Sequence, residues 1–404
     1  YLSGLIGDIT IKDEKKTYKP DRIGLLVRTN ADTTYVRAQS GDLIVKLDGS
    51  GYYERLLSQI TTLTDTMKAQ FENKVIDQEA LKRLLPIMKL HVESKHDNPI
   101  ANLLHTSDIS FKELLVDMNT SPETGVNGKS HIYSLNYDSI RIDTVRIDLT
   151  QKGNKLTYQG QIRNNKKNPQ FVFNALIDGH FHEHGALAGL RYYDDKNRLG
   201  GRIGATAEME TGGIRMRLMP DRPTVGYKEF NLNKDNFIFL AQGGKIQAKV
   251  DLIADDKTGL KLYTENQDST MLQDLTVSVN SLDLGELSAV IPYLPRITGK
   301  LNGDFHILQD HDEHISVASD MAVQTMTYEG SPIGNISTEL VYLMKEDDTH
   351  AIEARLMLDD EEFGLLSGTY QNEGEGLIDA TMTMTRFPLS LANGFVPDQI
   401  VGLE

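Results

Sequence analysis

Few residues in this chain are of a type that could do chemistry, and their spacing limits what each could do. His180, His182 and His184 fall at i, i+2 and i+4, which on a strand puts three imidazoles on one face. Three imidazoles can hold zinc. On a strand, however, same-face neighbours stand ~6.6 Å apart, so the outer two would need bending to share one ion. The expectation is a polar strand face or tip and no metal. His311-Asp-Glu-His314, with Asp310, reads as an exposed hairpin turn. Asp359-Asp360-Glu361-Glu362 and Glu346-Asp347-Asp348 sit between apolar runs, where carboxylates are expected in solvated turns and not as a glycosidase pair. Gly200-Gly201 and Gly212-Gly213 are read as lying between strands, with no helix following to bind a phosphate. Neither Gly-x-Ser-x-Gly nor His-Glu-x-x-His occurs, and there is no cysteine. No catalytic set emerges, so neither an enzyme nor a cofactor is expected.

Charge and composition narrow the class further. Against 42 Lys and Arg stand 58 Asp and Glu, a net charge of −16. A nucleic-acid binder needs a basic stripe. The basic cluster Lys166-Lys167 with Arg163 is short, is flanked by asparagines and reads as a hairpin tip. With 39% hydrophobic and 25% charged residues the chain is globular and not disordered. No apolar run reaches the ~18 residues of a membrane span, and no export signal is recognisable. Tyr1 opens directly into strand-like sequence and Glu404 follows an unfinished phrase. Both ends are therefore read as cut from something longer, with any anchor outside this segment.

The elements that would position these residues are mostly strands. Ile246, Ala248, Val250 and Leu252 alternate with polar residues, as do Leu275, Val277 and Val279. So do Leu301, Phe305 and Ile307, and Ile352, Ala354, Leu356 and Leu358. Turns are expected at Asn127-Gly128, Gly153-Asn154, Gly243-Gly244 and Asp255–Gly259. Residues 1–108 read as a mixed α/β segment, 109–280 as an antiparallel β segment and 281–404 as a β repeat module. In the first, Tyr53, Leu56, Leu57, Ile60, Leu63, Met67 and Phe71 predict an amphipathic helix over 52–71. Its polar face is not notably basic, so it is expected to pack on a sheet, closing one part of it. Asp77 is expected to cap a second helix ended by Pro86, Met88 to Val92 a strand, and Asn98-Pro99 the start of a short helix.

Two stretches match at a fixed offset. Leu282, Leu284, Val290, Ile291 and Pro292 correspond to Phe387, Leu389, Phe395, Val396 and Pro397, and Gly299 matches Gly402 after a two-residue shift. Each copy reads as a strand end, a helical turn, a proline and a glycine opening the next strand. Such repeats imply an array built from one unit. The phrase Leu282-Asp-Leu-Gly-Glu-Leu-Ser-Ala-Val-Ile-Pro-Tyr-Leu-Pro-Arg-Ile-Thr-Gly-Lys-Leu-Asn-Gly-Asp-Phe resembles the junction of TamB/AsmA-like envelope proteins, and Tyr328-Glu-Gly-Ser-Pro-Ile-Gly-Asn-Ile resembles their next step. The likeness covers 230–404 well and 109–230 in style, with a Bacteroidota-like composition.

That resemblance implies a mainly β fold: a long curved antiparallel sheet forming an apolar trough or groove, with a small α-helical element near the N-terminus. It implies a periplasmic, envelope-spanning protein, anchored in the inner membrane outside this segment. Such a protein would carry phospholipid between the membranes and support outer-membrane protein assembly with a BamA-like barrel partner. Phospholipid acyl chains would then lie on Ile246, Val250, Leu252, Val277, Val279, Phe305, Ile307, Ile352, Leu356 and Leu358, expected on one concave face. The competing reading is a closed β-sandwich serving as structural or adhesive scaffold. A carbohydrate-active module is disfavoured by the absence of tryptophan, which would supply an aromatic platform, and a metal-binding one by the spacing of the histidines. An open apolar face and a covered one separate the first two readings.

Overall fold

The computed structural model describes residues 1–12, 17–264, 271–312, 314–345, 347, 349–371 and 377–385. The protein is mainly β, 65% strand and 11% helix, and its strand pairings are antiparallel. Its contacts form two units, one of Tyr1–Leu199 with Gly204–Thr211, the other of Gly200–Ile203 with Gly212–Glu404. Residue 108 falls inside the sheet of the first unit, since Met88–Ser94 pairs with Glu113–Ser121 across it. Residue 280 falls inside the strand Met271–Asp283.

In the first unit, Leu2–Ile6 pairs with Ile23–Thr29, followed by Thr33–Ser40, Leu43–Ser50, Met88–Ser94 and Glu113–Ser121. The ladder continues through Gly125–Tyr137, Ile140–Lys152, Lys155–Asn164, Phe173–His182 and Gly185–Tyr193. Residues before 108 are therefore richer in strand than expected. Gly41 takes a left-handed turn between Ser40 and Leu43, which face each other across a two-residue hairpin.

Three helices interrupt this sheet: α1 (Tyr53–Glu72), α2 (Gln78–Leu84) and α3 (Pro99–His105). Their ends follow the expected chemistry. The Asp77 carboxylate accepts from Ala80 N at 2.8 Å, and Pro86 follows the last turn of α2. Asn98 caps α3, with Pro99 in its first turn. Asn127 and Gly128 form no turn. They lie inside Gly125–Tyr137, and a side chain at 128 would collide with Asp117 and Met118 on the neighbouring strand, so glycine there serves close strand approach.

In the second unit, Gly213–Val225 pairs with Phe237–Ala241, which pairs with Ile246–Ile253. Successive hairpins then run through Gly259–Thr264, Met271–Asp283, Ile297–Asp310, Ile315–Tyr328, Ser331–Met344, Thr349–Leu358, Glu361–Gln371 and Leu377–Met384. The first copy of the repeat has the expected form. The strand ends at Asp283, whose Oδ1 accepts from Gly285 N and Glu286 N and so caps α4 (Leu284–Ser288), and a new strand opens at Ile297. Gly299 sits at a register shift with φ of 128°, a conformation that other residues rarely adopt. The second copy, Phe387–Gly402, lies outside the described residues.

Candidate functional site: two apolar sheet faces

Residues opposite each other in an antiparallel ladder point to the same side, so register decides which side chains share a face. In the first unit one row runs Leu25, Ala38, Val45, Val92, Val116, Ser130, Ile147, Gly160, Ile177, Leu190, across ten strands. A neighbouring row on the same side runs Val27, Val36, Leu47, Leu90, Met118, Gly128, Leu149, Tyr158. Between them, on the opposite side, lie Arg37, Lys46, His91, Asp117, Lys129 and Asp148. The sheet thus has one apolar and one charged face. The charged face is held by cross-strand contacts, among them Arg37 Nη2 to Asp48 Oδ1 at 2.7 Å and His91 Nδ1 to Asp117 Oδ1 at 2.6 Å.

Not one residue of the first row is buried, and Ile147 is 45% exposed. A sheet face covered by a second layer buries its large side chains. Along this row no second layer buries the side chains among the described residues. Broad depressions of about 770 and 730 Å³ do exist on this sheet, but they lie over the charged face, among Arg37, Lys46 and Lys129. The apolar face is distinguished by its chemistry and, among the described residues, by the exposure of this row.

Helices α1 and α2 cross this apolar side at one end of the strands. Only Leu56 of α1 is buried, seated on Gly49, where any side chain would collide with it. The helix, expected to pack on a sheet, is seated on it through this one buried side chain. Most of its apolar stripe stands clear, with Leu57 58%, Met67 54% and Phe71 86% exposed. The physical reason lies in its supports. Leu56 fixes one end, and at the other Gln70 Nε2 donates to Asp77 O while Asp77 N donates to Gln70 Oε1. Between these supports the helix bridges a cavity of about 360 Å³.

In the second unit a row runs Val250, Leu262, Val277, Phe305, Ser319, Leu340, Ala354, Leu366, Met382, across nine strands. The register brings the ten residues singled out from sequence to one side. Leu252 reaches Val279 through Leu260, and Ile307 reaches Ile352 through Val317 and Tyr342. Ile246, Leu356 and Leu358 share that side by alternation along their own strands. Val250 and Val279 are buried and the other eight half-buried. Leu356 and Leu358 pack against a small core of Ile333 and Phe363. This face is better covered than that of the first unit. The other side carries Glu339 opposite Arg355, and His306 Nε2 lies 2.7 Å from Asp274 Oδ1.

The histidines separate. His180 and His182 share the charged face at the end of Phe173–His182, and His184 lies in the turn beyond. Burial, then the nearby charges of Lys155 and His182, hold the His180 imidazole below its ordinary value. His182 Nε2 instead meets Glu208 Oε2 at 3.2 Å. Among the described residues, the one group of three metal-type ligands close enough to share an ion is Asp310, Asp312 and His314, in an exposed hairpin turn. Gly200 and Gly201 lie within the strand Leu199–Glu210 and not between strands. Asp359 and Asp360 form a tight turn, whereas Glu346 and Asp348 lie outside the described residues.

Sequence reading did not find the apolar face of the first unit. Its alternation is broken by Ser130, Gly160 and Gly179, which share that side with the aliphatic residues. The two-residue turn Gly41-Asp42 and the run Gly24-Leu-Leu-Val27 were its available signals. Compared with models of protein families, with curated proteins and with solved structures, the chain has no match.

Proposed function

We propose that this protein holds phospholipid acyl chains against its apolar sheet faces where these lie exposed. It is thereby a segment of an envelope protein that carries lipid between inner and outer membranes. The observation that supports this reading is the ten-strand row from Leu25 to Leu190, apolar in most of its members and buried in none. Soluble proteins rarely leave so large an apolar surface without a binding role. An acyl chain laid on it gains roughly 0.8 kcal/mol per buried methylene, so a lipid tail of ordinary length supplies the binding energy without any polar pocket. The charged face keeps the other side in water. The resemblance of 230–404 to TamB/AsmA-like proteins points to the same use, and brings with it the periplasm, the inner-membrane anchor and the BamA-like barrel partner as parts of the proposal.

A photo-crosslinker placed at Leu90 or Ile147, and at Lys129 as the control on the charged face, tests it with phospholipid vesicles. Lipid adducts are expected from the first two positions and not from the third. Equal yields from both faces, or none from the apolar one, would overturn it in favour of the closed scaffold.

A further inference from the structure

The cavity beneath α1 has a composition that the sheet faces lack. Leu63, Met67 and Phe71 hang over it from α1, Leu81 closes it from α2, and Leu156 and Phe181, paired across adjacent strands, form its floor. Leu156 shares a side with Tyr158, and Phe181 with Gly179, so the floor continues the apolar face of the first unit. The volume is about 360 Å³. A dry apolar cavity of ~150 Å³ admits a benzene ring, so this one accommodates on the order of a dozen carbons.

The polar groups at the lining are few and unlike one another. Asp77 is occupied, since its carboxylate caps α2 through Ala80 N. Gln70 is likewise engaged with the Asp77 backbone. Lys82 is half-buried, and its ammonium has no carboxylate partner among the described residues. Helix α2 that carries it is held firmly, with Gln78 N donating to Glu183 O at 3.1 Å and Thr120 Oγ1 donating to Pro86 O at 2.6 Å. An unpaired cation in the lining of an apolar slot is complementary to an amphiphile with one negative charge next to its tail.

We propose that the α1–α2 hairpin and the strand ends beneath it form a seat for one acyl chain of an anionic phospholipid, with the tail between Phe71 and Phe181 and the phosphate at Lys82. The proposal rests on the lipid-holding reading above and adds a place, a stoichiometry of one tail and a charge preference. It also explains the exposed stripe of α1, because Leu63, Met67 and Phe71 acquire an apolar partner once a tail lies below them.

The test places a photo-crosslinker at Phe71 in one variant and at Ile147 in another, each mixed with vesicles of phosphatidylcholine alone or with an equal part of phosphatidylglycerol. Adducts at both positions are expected, with phosphatidylglycerol over-represented only at Phe71. Lys82→Gln should lower that excess about two- to fivefold and leave Ile147 unchanged, the range for a partly exposed charge pair. Adducts at Ile147 and none at Phe71 overturn the seat and leave the sheet-face reading standing. Adducts at Phe71 alone uphold the seat and overturn the sheet face. Equal labelling by both lipids at Phe71, unaffected by Lys82→Gln, overturns the assignment of the headgroup. Silence at both positions overturns both readings.

Discussion

Asp42 shows how a single polar residue holds a loop of the first unit in place. Its Oδ1 accepts from Asn98 Nδ2 at 2.6 Å and Lys95 N at 3.3 Å, and its Oδ2 from Asp97 N at 3.1 Å. His96 Nδ1 adds a fourth contact at 3.2 Å. Asn98, fully buried, then caps α3 through Ile100 N and Ala101 N. Burial disfavours the Asp42 charge, but the hydrogen bonds from Asn98, Asp97, His96 and Lys95 prevail and hold the carboxyl below its ordinary value of 3.8. Because the folded state lowers this value, the stabilisation is complete above the ordinary value and is lost as pH falls through the lowered one. Asp42→Asn should therefore cost about 1–3 kcal/mol near neutrality. Urea melts at successively lower pH should show the gap between the two proteins closing on acidification, and a constant gap would contradict this account. The Asn98-Pro99 cap was legible in sequence because capping is local chemistry. Asp42 was not, since its partners lie more than fifty positions away and only the fold brings them together.

Among the elements, α1 separates what periodicity can tell from what it cannot. The apolar stripe at steps of three and four established a helix, and the structure places it at Tyr53–Glu72. A stripe says which side is apolar but not what lies against it, and here only Leu56 is buried. Strand alternation carried further in the second unit, because a period of two fixes the face outright, and all ten residues chosen from it share one side. In the first unit Gly160 and Gly179 interrupt the alternation and conceal an equally extended face. The seating of α1 gives a direct test. Leu56→Ala removes the one buried side chain of the helix and should cost about 2–5 kcal/mol. Gly49→Ala pushes a methyl group into the Leu56 site and should cost about 1–3 kcal/mol. Hydrogen exchange should show both changes loosening α1 while the strands Thr33–Ser40 and Leu43–Ser50 keep their protection. Loss of protection across the sheet would mean that the helix is a structural pillar and not a cover standing on one foot.

At the scale of the whole chain, both units follow one plan, a charged side and an apolar side, but differ in how far the apolar side is covered. The distinction between a lipid-bearing face and an ordinary core is a distinction in the cost of charge. An unpaired charge in a sealed interior costs several kcal/mol, while on a surface reached by water the side chain turns outward and the cost is small. Val250 is 2% exposed and Leu356 packs against Ile333 and Phe363, so Val250→Glu and Leu356→Arg should each lower the melting temperature sharply, by about 3 kcal/mol or more in stability. Ile147, 45% exposed in the row of the first unit, should accept glutamate at a cost of about 1 kcal/mol or less. The same Ile147→Glu change should nevertheless suppress lipid adducts from a crosslinker at Leu90, because a carboxylate standing in the row interrupts the apolar track that a tail follows. Thermal melts and adduct yields measured side by side decide between the readings. If Ile147→Glu unfolds the first unit as readily as Val250→Glu unfolds the second, the face is a core and the closed scaffold is the better account. If the fold survives and the adducts disappear, cover was never needed for stability there, and the exposed row is kept for an apolar ligand.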